Sequence, residues 1–276
     1  MPESPPGENG AHRARAWRTS TLARICDMLE PWEHGTVARA SRYPSYYSYN
    51  LVRMEDEAPV TAATLFAVAD RALAGLAHRR VDLDSAALGQ RLRAEFEADG
   101  WRSTRVLWMR HEEALPAGPD VLVEDVDYDA VHELRVIWNH EDELGEQADS
   151  AFYRYAREVA LALGARVVAV LEEGRPIAFA QIQSHGGGAE ISDVFVHPEH
   201  RGRGLGTAVT RAAIRAAGGS GDLWITADDE DRPKHLYARL GFRPAWTSME
   251  FTRLPRADPG AQPRSTSAST LSANRS

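Results

Sequence analysis

The sequence predicts a mixed α/β protein of the α+β kind, in which a central mixed sheet is flanked by helices. Three observations lead there. Short β-branched apolar runs alternate with segments of helical period, glycine and proline clusters separate them, and a glycine-rich turn joins one strand-like run to one helix. With 276 residues and 43% hydrophobic content, the chain has room for one large or two small cores.

The first dozen or so residues and the segment from Pro255 to Ser276 are rich in Pro, Ser, Gly, Ala and Arg without aromatics, so 1–15 and 255–276 are expected to be disordered. The segment 16–114 forms an N-terminal domain. Thr61 to Leu76 and Ser85 to Ala98 have helical spacing, Val81 to Leu83 lies between them as a strand, and Val106 to Met109 follows as another. Leu115-Pro-Ala-Gly-Pro-Asp120 reads as a linker, 115–120. The second domain, 121–254, opens with a strand at Val121 to Val126 and helical segments at Tyr128 to Trp138 and Ala151 to Leu163. Val167 to Leu171, Ile177 to Ile182 and Ile191 to Val196 form a meander, with turns at Glu173-Gly-Arg-Pro176 and Gly186-Gly-Gly188. A helix carries Leu205, Ala208, Val209, Ala212 and Ala216 on one face and stops at Gly218. Leu223 to Ala227 is a strand, Pro233 to Leu240 a short helix with proline in its first turn, and Trp246 to Leu254 the last strand.

Composition narrows the function. A net charge of −8 argues against nucleic acid or an anionic membrane as partner. No stretch approaches the length of a membrane-spanning helix, and no secretory signal is visible in Met1 to Gly10. The lone Cys26 fits a reducing cytoplasm and reads as buried filler. His197 and His200 flank the glycine turn, but His-Pro-Glu-His is not a zinc motif, and no metal is expected. Oligomeric state is open between monomer and homodimer.

The turn itself is Arg201-Gly202-Arg203-Gly204-Leu205-Gly206-Thr207. A strand running through glycines into a helix leaves first-turn N–H groups free, and the helix dipole favours an anion there. The glycines fall as G-x-G-x-G rather than G-x-G-x-x-G, and no lysine is near, so neither a dinucleotide fold nor a P-loop is met. An NAD-linked oxidoreductase fails on that spacing. Arg201, Gly204 and Gly206 instead give Arg-x-x-Gly-x-Gly.

With this motif, and with Leu236-Tyr237-Ala238-Arg239-Leu240-Gly241-Phe242 further on, the stretch from Val167 to Phe251 resembles the GNAT superfamily of N-acetyltransferases. The resemblance implies a GNAT-like sheet and acetyl-CoA as cosubstrate. It implies that the pyrophosphate rests on Arg201, Gly202, Arg203, Gly204, Leu205, Gly206 and Thr207, and that main-chain groups of Val194, Phe195 and Val196 meet the pantetheine like an added strand. The acceptor would be an amine, of a small molecule or of a protein. Several members place a catalytic carboxylate six residues before the strand's last residue, which falls on Glu190, with Asp193 the second candidate or water acting alone. Strand alternation puts Glu190 on the face of Ser192 and Val194 and Asp193 on the other. Tyr237 would be general acid to the departing thiolate. Glu230 and Pro233 stand where many members carry Asn and Ala, which leaves side-chain contacts with pantetheine there in doubt.

A helix ending at Asp99-Gly100-Trp101 before a strand echoes the second half, although no Arg-x-x-Gly-x-Gly occurs there. The smaller N-terminal domain is then either a degenerate second copy, as in some tandem proteins of the family, or an unrelated helical cap. It would close the acceptor side, with Tyr43 to Tyr49 or His78-Arg79-Arg80 as lining. Against the enzyme stands a catalytically silent acyl-CoA-binding sensor or scaffold.

Overall fold

The computed structural model describes residues 6–118, 121–141, 150–218 and 221–254. These form helices α1 (Pro6–Ile25), α2 (Ala62–Ala72), α3 (Ala86–Ala98), α4 (His132–Glu141), α5 (Ser150–Ala162), α6 (Leu205–Ala216) and α7 (Pro233–Arg239). The strands are β1 (Met28–Trp32), β2 (Gly35–Arg39), β3 (Leu51–Met54), β4 (Arg79–Leu83), β5 (Arg102–His111) and β6 (Glu124–Val126). After them come β7 (Arg166–Glu172), β8 (Arg175–His185), β9 (Gly188–Val196), β10 (Leu223–Asp228) and β11 (Phe242–Arg253). The expected tail, 255–276, lies outside the described residues, as does 1–5.

All strands belong to one mixed sheet, in the order β1-β2-β3-β4-β11-β5-β10-β9-β8-β7-β6. Two neighbouring pairs are parallel, β3 with β4 and β9 with β10, and each is joined by a crossover helix, α2 or α6. The element order β1-β2-β3-α2-β4-α3-β5 recurs as β7-β8-β9-α6-β10-α7-β11. The last strand of each half leaves its own half. β5 pairs antiparallel with β10 on one edge and with β11 on the other, and β11 pairs with β4. Segment 115–120 therefore separates the halves in sequence but not in the sheet.

Local chemistry accounts for the elements. Thr61 and Ser85 cap α2 and α3 by accepting from Thr64 N and Leu88 N. Two-residue turns with left-handed backbone, Glu173-Gly174 and Gly186-Gly187, close the β7–β8 and β8–β9 hairpins. One face of the sheet carries α2, α3, α6 and α7. Leu65, Leu92 and Phe96 pack there on Met249 and Phe251, and Leu205, Val209 and Tyr237 on Ile225 and Met109. The opposite face carries α1, α4 and α5, with Leu22, Tyr43, Tyr49, Val159 and Leu163 in one cluster.

The sequence expectation of disorder over 1–15 is overturned from Pro6 onward, because α1 lies across the sheet. Its contact stripe is Gly10, Ala14, Trp17, Thr21 and Leu22, all buried at helical spacing. A Cβ on Gly10 would meet Ala245 Cβ at 3.3 Å, so the helix approaches β11 closely. Its arginines reach strand carboxylates: Arg18 to Asp82 at 2.9 Å and Arg13 to Asp222 at 2.7 Å.

Because β5 lies between β10 and β11, a chain beginning at Pro116 would leave both strands with an unpaired interior edge. Circular dichroism melting should show a cooperative transition for the full chain and none for the truncated one. Cooperative melting of the truncated chain would contradict this dependence.

Candidate active site

The glycine turn is open. Gly202 and Gly204 adopt φ of +79° and +76°, the left-handed region that L-residues avoid, and a Cβ at either would meet nothing within 4 Å. Gly204 is the N-cap of α6 and supplies no side-chain bond. The first intrahelical bond runs from Ala208 N–H to Gly204 C=O, so Leu205, Gly206 and Thr207 hold N–H groups without helical partners. Arg201 donates to Glu141 at 2.5 Å and to the Val196 carbonyl at 3.2 Å, and Arg203 donates to Glu172 at 2.8 Å. These pairs are exposed and contribute little, so both guanidinium groups can exchange a carboxylate for a phosphate. At the matching place in the first half, Glu55-Asp56-Glu57 follows β3, and Thr61 occupies the first turn of α2. An acidic loop and a filled cap are unsuited to an anion.

β9 and β10 pair only from Ala189–Leu223 to Ile191–Ile225, then separate. In the remaining part of β9, His197 N–H donates to Ile177 C=O on β8. Antiparallel alternation then turns Phe195 toward β8 as well, while Val194 and Val196 direct their N–H and C=O groups into the gap. Of the three expected backbone positions, Val194 and Val196 face the open edge. Phe195 does not: its main chain is paired with Phe179, and its ring packs on the α4 side.

The expected faces of the two carboxylates are corrected by a bulge. Gln181 pairs with Asp193 and Ile182 with Ile191, so Ser192 is an extra residue in β9. Alternation slips by one, and Val194 turns to the α6 face, where it packs with Ile191. Glu190 and Asp193 both lie on the α1–α4 face, near enough that each contributes to the electrostatics around Tyr49. Their surroundings separate them. Asp193 is bonded at 2.5 Å to Arg135, a buried guanidinium that also donates to Gln181 and stacks between the rings of Tyr128 and Phe179. Glu190 accepts a 2.8 Å bond from Trp17 Nε1. Burial pushes its carboxyl above the ordinary glutamate range, against the pull of the Trp17 bond and of Arg18.

The tyrosine segment reaches the same face. Asn50, fully buried, donates to the carbonyls of Tyr43 and Tyr46 and accepts from Ala40 N, which fixes the loop. Tyr46 and Tyr49 stack at 5.6 Å, and Asp193 perturbs both. His78-Arg79-Arg80 does not line the site as one group. His78 is buried against Tyr47, Arg79 pairs with Asp70, and Arg80 joins Asp82 and Glu250. Tyr237 lies on the other face, 7% exposed, and burial pushes its phenol up to about 12. Gly206 lies between the α7 residue Leu236 and Val196, so the turn, the gap and α7 adjoin one another. His197, Glu199 and His200 bring ligand-type atoms within 4.8 Å, but His200 Nδ1 faces Arg203 at 2.7 Å, a cation that opposes a metal. Sequence reasoning missed Trp17, Arg135, Gln181 and Asn50, whose roles depend on contacts between distant segments. Only Trp17 left a trace, as part of a helical stripe.

Residues 128–242 match the model of the Acetyltransferase (GNAT) family, and this segment of the chain belongs to that family. The chain is similar to a mycothiol acetyltransferase of Nocardiopsis dassonvillei, 45% identical over 51 residues, which is 18% of this chain and 16% of the relative. A mycothiol acetyltransferase of Nocardia farcinica is 36% identical over 74 residues, 26% of this chain and 23% of the relative. The matched segments thus span less than a quarter of those relatives. A GCN5-related N-acetyltransferase from Kribbella flavida shares the fold at TM-score 0.56 and 20% identity, over 91% of this chain and 96% of that one. A functionally unknown protein of Staphylococcus epidermidis does so at TM-score 0.60 and 13% identity, over 83% and 94%. Among the described residues no helix is long and apolar enough to cross a membrane.

Arg135→Met would put an apolar chain end beside the rings of Tyr128 and Phe179 and leave Asp193 and Gln181 without their donor. A loss of about 3 kcal/mol is expected from urea unfolding, as for a broken part-buried ion pair. A loss below about 1 kcal/mol would mean that water replaces the guanidinium.

Proposed function

We propose that the protein is an acetyl-CoA-dependent N-acetyltransferase acting on an amine of a small molecule or a protein. One observation carries the reading: the opening between β9 and β10 presents backbone groups of Val194 and Val196 that no strand pairs, and leads into the uncapped, left-handed glycine turn of α6. Such a path suits a ligand with paired amide groups and a pyrophosphate, and the space next to the Cα of Gly202 and of Gly204 is open.

When bound, acetyl-CoA supplies an acetyl thioester as electrophile. Glu190 serves as the base. An alkylammonium with pKa near 10 must lose a proton before its nitrogen attacks, and a carboxylate lifted by burial accepts that proton more readily than an exposed one. Asp193 is committed to Arg135 and serves to shape the site. Tyr237 is the general acid, kept protonated by burial. A thiol with pKa near 8.5 is the stronger acid by about three units, roughly 4–5 kcal/mol. The phenol therefore donates a hydrogen bond as charge develops on sulfur, and its proton moves fully only as the amine loses its own. The ring faces of Tyr46 and Tyr49, with the two carboxylates, favour a cationic acceptor.

The recurring element order supports reading the first half as a degenerate second copy, with one cofactor site per chain. Its acidic loop and capped α2 are the reason.

Calorimetric titration with acetyl-CoA tests the cofactor site. Gly204→Val should weaken binding at least tenfold, because a side chain there occupies the phosphate position. Gly100→Val, at a φ of +80° in the α3–β5 turn of the first half, imposes similar backbone strain and should leave affinity unchanged. Equal affinity in both variants would remove the assignment.

Screening a metabolite library for mass gain of an acetyl group identifies the acceptor. With that amine, Tyr237→Phe should lower kcat roughly ten- to a thousand-fold at unchanged acetyl-CoA affinity. Unchanged kcat would reduce Tyr237 to packing.

A further inference from the structure

We propose that Trp17 is a positioning residue of the catalytic centre: its indole N–H, carried by α1 from the first half of the chain, fixes the carboxylate of Glu190 beside the opening between β9 and β10. The inference rests on Glu190 being the base.

The contact is built from several directions. Trp17 is 7% exposed, and a buried indole N–H needs an acceptor, which here is Glu190 Oε2 at 2.8 Å. The indole lies flat on His185, with centroids 4.1 Å apart and planes 13° apart. His185 is held in turn: its Nε2 contacts Thr21 Oγ at 3.1 Å, and the same hydroxyl donates to the Trp17 carbonyl at 3.0 Å. The hydroxyl proton is used on that carbonyl, so His185 is the donor and carries its proton on Nε2. On the other side, a Cβ on Gly188 would come within 2.8 Å of the indole ring, so the β8–β9 hairpin admits the ring only because residue 188 is glycine. Ring, stacking partner and hairpin fix the donor within one plane over Glu190.

An unrestrained glutamate at this place would sample several rotamers. The bond selects one and leaves Oε1 free to accept the amine proton. Other charged or titratable groups also face Glu190. Arg18 of α1 stabilises its ionised form, while Asp193 on β9, Glu250 on β11 and Tyr49 of the tyrosine loop oppose it. Trp17 is the neutral donor among them, so it orients the carboxylate without adding a charge that would hold the proton off.

The test uses the full chain labelled at glutamate side-chain carbons, with Glu190→Gln to assign the Glu190 signal. Trp17→Phe keeps an aromatic ring near His185 and removes the donor. Its Glu190 titration midpoint should rise by roughly one pH unit, the shift expected for losing one hydrogen bond to a carboxylate. The acid limb of the pH–rate profile, measured with the amine found by the library screen, should rise by the same amount. The rates should converge above both midpoints, and acetyl-CoA affinity should stay unchanged. In the unmutated protein the Trp17 indole proton resonance should titrate with the same midpoint as Glu190, and this step should vanish in Glu190→Gln, where any step from the stacked His185 would persist. A Glu190 midpoint unmoved by Trp17→Phe, or an indole resonance indifferent to pH, overturns the proposal. If the midpoint moves but the acid limb stays fixed in both Trp17→Phe and Glu190→Gln, Glu190 is not the base, and the role of Trp17 in catalysis falls with it.

Discussion

The antiparallel pairing of β5 with β11 is the contact on which the rest of the molecule depends. Each of these strands ends one half of the chain and completes the sheet of the other, so neither half closes without its neighbour. The exchange also creates the opening at the candidate site. β10 is paired with β5 from Trp224 to Asp228, whereas its pairing with β9 stops at Ile225. Thr226 to Asp228 can diverge from β9 because β5 satisfies their other edge. A parallel pair that separates midway would otherwise expose backbone groups on both sides. The gap is thus held open by a strand from the half that carries no glycine turn.

Charge fixes the position of α1 over this sheet. Arg18 meets Asp82, which Arg80 also holds at 2.8 Å, and Arg80 reaches Glu250 at 2.6 Å. Beside them Arg53 grips Asp84 with two bonds of 2.8 Å. Buried ion pairs contribute little net stability against a well-packed apolar alternative, yet removing one partner is costly. Their effect here is on register. Shifting α1 by one residue would part Arg18 from Asp82 and Arg13 from Asp222 together. Trp17 adjoins Arg18 in sequence, so the ion pairs that hold the helix also determine which strand residue its indole meets.

The second half was legible because local signals there agree. Glycine turns closed the β7–β8–β9 meander, helical spacing marked α6 within its observed bounds, and the Arg-x-x-Gly-x-Gly turn fell at the start of that helix. The misreadings have physical causes. The contact stripe of α1 is Gly10, Ala14, Trp17, Thr21 and Leu22, nearly free of large aliphatics, with arginines between them that resemble a solvated segment. β1 and β2 are short, and Pro31 on an edge strand speaks against a strand in sequence. Strict alternation along β9 failed at Ser192 because a bulge has no sequence signature. Strand exchange leaves no local trace either: β5 reads the same whether it joins its own half or the other. The Glu190–Trp17 and Asp193–Arg135 contacts span 173 and 58 residues, beyond any periodicity.

The two halves place a strand, a turn and a helix alike, and the chemistry of the turn divides their roles. After β9, glycines and arginines leave donors and positive charge at the start of α6. After β3, three acids run toward α2, His34 contacts Asp56 at 3.0 Å, and the Thr61 hydroxyl satisfies the Thr64 N–H. A helix start whose donor is already bonded, behind a loop of like charge, has neither the hydrogen bonds nor the field to hold a phosphate. What the first half retains is structural reach: β5 props the gap, the loop pinned by Asn50 brings Tyr46 and Tyr49 to the two carboxylates, and α1 places the indole. A half that has no anion site of its own is free to keep acids and aromatics where a cationic acceptor would arrive. Under the proposed function, the phosphate end and the acceptor end are built from different parts of the chain, and the shared sheet keeps them in fixed relation.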